Sequence, residues 1–121
     1  MSLTPLPSHE AFEAMLRPRK VTESTIVANY PPWVCIAFTA SWCGPCKRIN
    51  KDEIAAASPS VKWYVCDVDD NTVTLGYCNL RSIPSFCLIK DGVYKGIKAG
   101  PGSEQEVLDW LVDEGVPIAK K

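Results

Sequence analysis

The sequence has one histidine, His9, no excess of charge of either sign and no long apolar run. A lone histidine far along the chain from the closest pair of cysteines makes a Cys-His nucleophile site implausible, and His9 reads as a solvated side chain. With 13 basic and 14 acidic residues the formal net charge is −1, so neither a nucleic-acid surface nor steering toward a membrane is expected. No residue from Ser24 to Cys46 is charged, yet the longest purely apolar stretch there, Trp33 to Phe38, is far short of the ~20 residues of a transmembrane helix. The first sixteen residues lack Lys, Arg and an apolar core segment, so no secretory signal is expected and the reading is a cytoplasmic protein. No internal repeat or low-complexity segment shows.

What is present suffices for one domain over residues 1–121, with residues 1–7 extended or tag-derived. A chain of 121 residues, 46% of them apolar, can bury roughly 65% of its unfolded surface. Ser8 reads as a helix N-cap ahead of Phe12, Met15 and Leu16, and Pro18 ends that helix. Arg17 to Asn29 is polar, with Thr25 to Val27 open between strand and helix. The unbroken run Trp33 to Phe38 predicts a central strand covered on both faces. A helix is expected to open at Cys43-Gly44-Pro45-Cys46, to turn Cys46, Ile49, Ile54 and Ala57 inward, and to end at Ser58-Pro59. Val61 to Val68 is the next strand, and Asp67, Asp69 or Asp70 would cap a following helix with Val73, Tyr77 and Leu80 on one face. Ser85 to Lys90 and Val93 to Ile97, joined by Asp91-Gly92, form an antiparallel hairpin with a type I′ turn. Ser103 to Glu106 has the form of a capping box and leads into Val107, Leu108, Trp110, Leu111 and Val112, with Gly115 as the stop. The order α, possible β, β, α, β, α, β, β, α predicts an α/β fold, a mixed sheet with helices on both faces.

Six cysteines do not here form the framework of a small secreted domain. Cys35, Cys66 and Cys87 lie in apolar, strand-like runs and read as single buried thiols. Cys78 is expected to be partly exposed, as an incidental thiol or as a regulatory or dimer-forming one. Only Cys43 and Cys46 are close, as C-x-x-C, and chance alone supplies roughly 0.3 such pairs, so the neighbours must decide. A cysteine at a helix N-terminus sits where unsatisfied N–H groups and the helix dipole favour a thiolate. Cys43 therefore reads as the nucleophile, and Cys46, in the first turn on the same side, as the shielded resolving thiol. Gly44 leaves space for a substrate chain, and Pro45 fixes φ without adding an N–H donor. No metal site is expected, because zinc wants four ligands and there is no second C-x-x-C or nearby His.

The local sequence Ala40-Ser41-Trp42-Cys43-Gly44-Pro45-Cys46-Lys47 contains W-C-G-P-C-K, and here the chain resembles the thioredoxins. The resemblance runs from about Trp33 to Glu114 and takes in Cys66-Asp67-Val68-Asp69-Asp70, Ile83-Pro84-Ser85-Phe86, Lys90-Asp91-Gly92 and Gly100. It implies a thioredoxin-like three-layer sandwich with a central mixed sheet of four to five strands, and a protein-disulfide reductase working through a mixed disulfide. It further implies that Trp42 belongs to a flat apolar docking surface and that the Ile83-Pro84 bond is cis. Ile83, Pro84 and Gly100 would then line a groove in which an extended substrate pairs like an added strand. No bound cofactor is implied. Reducing equivalents would come from NADPH through thioredoxin reductase or an equivalent reductant, disulfide-containing proteins would be the substrates, and the chain is expected to act as a monomer.

Three positions depart from that pattern. Thioredoxins usually carry a buried Asp six residues before the nucleophile, as acceptor for the proton of the resolving thiol; here Ala37 stands there. Val65 replaces a Lys that often accompanies it, which leaves a water route open for deprotonating Cys46. Lys51 replaces a Pro that commonly kinks the active-site helix, so a straighter helix is expected. The segment Arg17 to Pro32 is longer than the usual connection. These departures keep a second class of function in view, a thioredoxin-fold binding or redox-sensing module with secondary oxidoreductase activity.

Overall fold

A computed structural model describes residues 3–16, 33–71, 74, 76, 78 and 82–119. Among these the elements are β1 (Thr4–Pro5), α1 (His9–Met15), β2 (Trp33–Thr39), α2 (Gly44–Arg48), α3 (Lys51–Ala57), β3 (Val61–Asp67), β4 (Ser85–Lys90), β5 (Val93–Ala99) and α4 (Glu104–Asp113). The five strands form one sheet in the order β1-β3-β2-β4-β5. Strands β1, β3 and β2 run parallel, and β4 and β5 run antiparallel to their neighbours. The apolar run of β2 explains its central place, since a strand with a neighbour on each edge and a layer on each face has no position left for a polar side chain.

The alternation of side chains along β2 splits the core in two. Ile36 and Phe38 cluster with Phe12, Met15 and Leu16 of the α1 region. Cys35 and Ala37 cluster with Ile54 of α3 and with Val107 and Leu111 of α4. Helices therefore cover both faces of a mixed five-stranded sheet, as expected. The turn at Asp91 and Gly92 has φ of 52° and 81°, the doubly positive pattern of type I′. Ser8 and Ser103 cap α1 and α4 through their side chains. The Glu106 carboxylate accepts from the Gly102 N–H at 2.7 Å, so the reciprocal half of the capping box reaches one residue further back.

Several expectations are corrected. The N-terminal stretch, expected as extended or tag-derived, adds an edge strand that had no place in the expected order: Thr4 and Pro5 pair with Tyr64 and Val65, and the Leu6 N–H donates to the Val65 carbonyl at 2.8 Å. Two residues including a proline carry too little pattern to announce an edge strand. Asn71, rather than Asp67, Asp69 or Asp70, accepts the Thr74 N–H (3.1 Å), while Asp67 turns back to the Asp69 N–H. His9 is not solvated; its Nδ1 lies 2.9 Å from Thr74 Oγ1 and its ring stacks on Phe12. Cys78 is buried, within the cluster that holds Cys66 and Cys87. Thr25 to Val27, the segment Arg17 to Pro32, and Val73, Tyr77 and Leu80 lie outside the described residues.

The largest correction concerns the helix after Cys43. It does not run on to Ala57, and the exchange of proline for Lys51 does not straighten it. Ile49 and Asn50 have ψ of 118° and 93°, outside the helical region, so α2 and α3 are separate. Asn50 side-chain oxygen caps α3 by accepting the Glu53 N–H (3.0 Å), and the Asn50 N–H donates to Glu104 Oε2 of α4 (2.6 Å). Lys51 Nζ donates to the Cys46 carbonyl at 2.9 Å, joining there the Ile49 N–H (3.3 Å) that closes the last turn of α2.

Candidate active site

Strand β2 ends at Thr39, and a turn closed by the Cys43 N–H on the Ala40 carbonyl (3.1 Å) delivers Cys43 to the N-cap of α2. Cys43 and Cys46 are disulfide-bonded, with Cα atoms 5.3 Å apart. The Cys46 N–H donates to Cys43 Sγ at 3.1 Å, so negative charge at that sulfur meets a donor already in place. Pro45 lies in the first turn, where a missing N–H costs no helical bond. A side chain at Gly44 would meet no atom within 4 Å, which leaves the surface beside the disulfide open. Both sulfur-bearing residues are otherwise enclosed, Cys43 at 2% exposure and Cys46 at 0%.

Phe38 at the end of β2 pairs with Ser85 at the start of β4, so the loops leading out of one strand and into the other share one end of the sheet. The Ile83-Pro84 peptide bond in that second loop is cis. Pro84 offers its carbonyl to the Gly100 N–H at 2.9 Å, and Gly100 has φ of +58°, a conformation that a side chain would strain. Ile83 packs on the cluster that contains Cys43 and Cys46. Trp42 is 66% exposed, yet its indole Nε1 donates to Asp69 Oδ2 at 2.9 Å, which fixes the ring beside Cys43. Asp69 in this role is not announced by its local sequence. The nearest signal is the run Cys66 to Asp70, which reads as a source of helix caps and as part of the thioredoxin resemblance, neither of which pairs Asp69 with Trp42.

The position on β2 where a buried carboxylate is usual in the resembling family is apolar here. Ala37 is fully buried and pairs with Val65 on one side and Phe86 on the other. Four further cysteines are free and buried. Burial pushes the Cys35 thiol up, and burial with neighbouring Cys78, Asp67 and Asp70 pushes Cys66 up to about 12. A hydrogen bond between Cys78 and Cys87 lowers the first thiol and raises the second. Lys51 is shifted down by desolvation, partly offset by the Asp52 carboxylate. Among the described residues no group of His, Cys, Asp and Glu is placed to hold a metal ion, and no helix is long and apolar enough to cross a membrane.

A disulfide formed between an N-cap cysteine and the residue three along, at the end of a mixed sheet that also presents a cis-proline loop, defines a protein thiol-disulfide oxidoreductase. The comparisons make the assignment specific. The chain belongs to the thioredoxin family, whose model matches residues 16–113. It is similar to the thioredoxin of Rickettsia conorii, 37% identical over 81 residues covering 64% of this chain and 77% of that one. It is likewise similar to mitochondrial thioredoxin-3 of Saccharomyces cerevisiae, 31% identical over 108 residues covering 84% and 85% of the two chains. The fold matches that of Fasciola hepatica thioredoxin with a TM-score of 0.72, 24% identity, and coverage of 92% and 98%.

Proposed function

We propose that the chain is a general reductant of protein disulfides in which Cys43 attacks and Cys46 resolves. The observation that carries this reading is the donation of the Cys46 N–H to Cys43 Sγ, which favours charge on that sulfur and not on its partner. In the reduced protein the Cys43 thiolate attacks one sulfur of a substrate disulfide, forming a mixed disulfide and releasing the first substrate thiolate. Cys46 then loses its proton and attacks Cys43 Sγ; the bond to substrate breaks, and the second substrate thiolate leaves and is protonated. Trp42, Ile83, Pro84 and Gly100 form the docking groove, with Gly44 leaving the approach clear and Pro45 holding the turn. The groove backbone pairs with an extended substrate segment.

The oxidised chain is returned to the dithiol by a reductase drawing on NADPH, and it works as a cytoplasmic monomer of one domain. Serine variants test the assignment of roles. With a disulfide-containing protein in excess, Cys46→Ser should accumulate a covalent complex that dithiothreitol releases, and Cys43→Ser should form none. Equal trapping by both variants would refute the division of labour. Retention of partners by Cys43→Ser at wild-type level would favour a binding module instead.

A further inference from the structure

The resolving step places negative charge on a fully buried sulfur, and burial opposes that charge. The β2–β3 register where the thioredoxins usually carry a buried carboxylate holds Ala37 paired with Val65. One cation is tied to the residue that must ionise: Lys51 Nζ donates to the carbonyl of Cys46 itself. The contact spans the helix break at Ile49 and Asn50, joining the first residue of α3 to the redox turn of α2. Lys51 also lines an open depression of about 530 Å³ with Leu3, Lys47, Arg48, Ile49 and Val65, so water reaches the ammonium from outside. The charged groups around it are Lys47 and Arg48 of α2, its neighbour Asp52, and Glu104 of α4, which is held on the Asn50 N–H. The Glu104 carboxylate is engaged at the break by the Asn50 N–H, while Asp52 lies close enough to the Lys51 ammonium to favour its charged form.

We propose that Lys51 is a positioning residue for resolution: anchored on the Cys46 carbonyl, its ammonium stabilises the Cys46 thiolate that attacks the mixed disulfide at Cys43. The proposal rests on Cys46 being the resolving thiol. The proton of Cys46 goes to water, its electron pair forms the bond to Cys43 Sγ, and the bond between Cys43 and substrate breaks toward the departing thiolate. Lys51 takes no proton and forms no bond. It supplies from the helix side a charge stabilisation that the strand side of this chain lacks. Partial burial, which makes the lysine harder to keep charged, also strengthens its field at the sulfur.

The test uses Lys51→Met and Lys51→Arg in the full chain. In a Cys43→Ser background the pH dependence of alkylation at Cys46, read by peptide mass, gives the titration of that thiol. Lys51→Met should raise it by about one pH unit, and Lys51→Arg should leave it near the parent value. With Cys43 restored, reaction with an aromatic disulfide releases one coloured thiolate on attack and the second on resolution. The second release should slow about threefold at neutral pH in Lys51→Met, since a tenfold smaller thiolate fraction is offset by roughly threefold greater nucleophilicity. It should keep its rate in Lys51→Arg. A folded Lys51→Met protein with an unmoved Cys46 titration and wild-type resolution overturns the proposal, as does an arginine variant that behaves like the methionine one. Failure of Cys46→Ser to hold the mixed disulfide overturns the assignment of the resolving thiol, whatever the Lys51 variants do.

Discussion

Placing a carboxylate at position 37 should make the protein less stable in a way that depends on pH, and should speed resolution. Ala37 has no exposed surface, lies between Val65 and Phe86 in the sheet, and belongs to the cluster of Ile49, Ile54, Val107 and Leu111. An aspartate there loses its water, and burial of this kind raises a carboxyl by about 3–5 units from the ordinary value near 3.9. At about 1.36 kcal/mol per unit, the ionised form costs roughly 4–7 kcal/mol, a large part of the ~5–15 kcal/mol that holds a domain of this size together. The sign follows from linkage. A folded-state value above the unfolded one means that the native state binds the proton more tightly, so the penalty is small below about pH 4 and grows as pH rises toward the folded value, then levels off. Urea unfolding of wild type and Ala37→Asp at pH 4, 6 and 8 measures this, with the gap between the two proteins widening at each step. The same carboxylate, as a base for Cys46, should quicken the second thiolate release severalfold. An Ala37→Asp protein with a stability difference that is flat from pH 4 to 8 and an unaltered resolution rate would refute the reasoning.

Two further perturbations probe the frame. Ser58 is fully buried, accepts the Trp63 indole N–H at 2.9 Å and donates to the Ile54 carbonyl at 2.6 Å; Ser58→Ala should therefore cost about 1–3 kcal/mol in denaturant unfolding, because the buried indole N–H is left without an acceptor. A loss below ~0.5 kcal/mol would show that water or another group replaces the hydroxyl. Glu104 is shifted down by its hydrogen bonds from the Asn50 N–H and from its own backbone. Its hold on Asn50 should thus be present above the unfolded carboxyl value near 4.3 and fade as pH falls through the lower folded value. Amide exchange at Asn50 should be faster in Glu104→Ala than in wild type at neutral pH, and equal rates there would remove the carboxylate from any role in shaping the break.

What could be read from the sequence was local. The run Trp33 to Phe38 reveals a central strand because every residue in it is apolar, and Asp91-Gly92 reveals a I′ turn because two adjacent residues must take positive φ. The pair Cys43 and Cys46 and its neighbours are likewise contained in six positions. What escaped depends on partners that the chain brings in from afar. The capping of the Trp42 indole by Asp69 spans 27 residues, the break at Asn50 is held by Glu104 across 54, and His9 reaches Thr74 across 65. Lys51 shows the limit most plainly. Losing a proline there predicts a straighter helix on propensity alone, yet a cap, a carboxylate from α4 and an ammonium that shares the Cys46 carbonyl with the Ile49 N–H together keep it broken.

The break between α2 and α3 also has a mechanical consequence. Cys46 belongs to the cluster on the α1 side of the sheet, whereas Ile49, Ile54 and Ala55 belong to the other. An unbroken helix across both would act as a stiff lever, passing each closing and opening of the disulfide into the packing of Ile54 against Val107 and Leu111. With the hydrogen-bond ladder interrupted at Ile49 and Asn50 and the Lys51 ammonium bridging to the Cys46 carbonyl, the redox turn and the helix beyond it should open as separate cooperative units. Amides of Gly44–Arg48 should exchange with solvent at rates that follow the redox state, while those in the core turns of Lys51–Ala57 keep one protection in both. That result would confine the motion of electron transfer to a single turn, with the rest of the fold as a fixed mount.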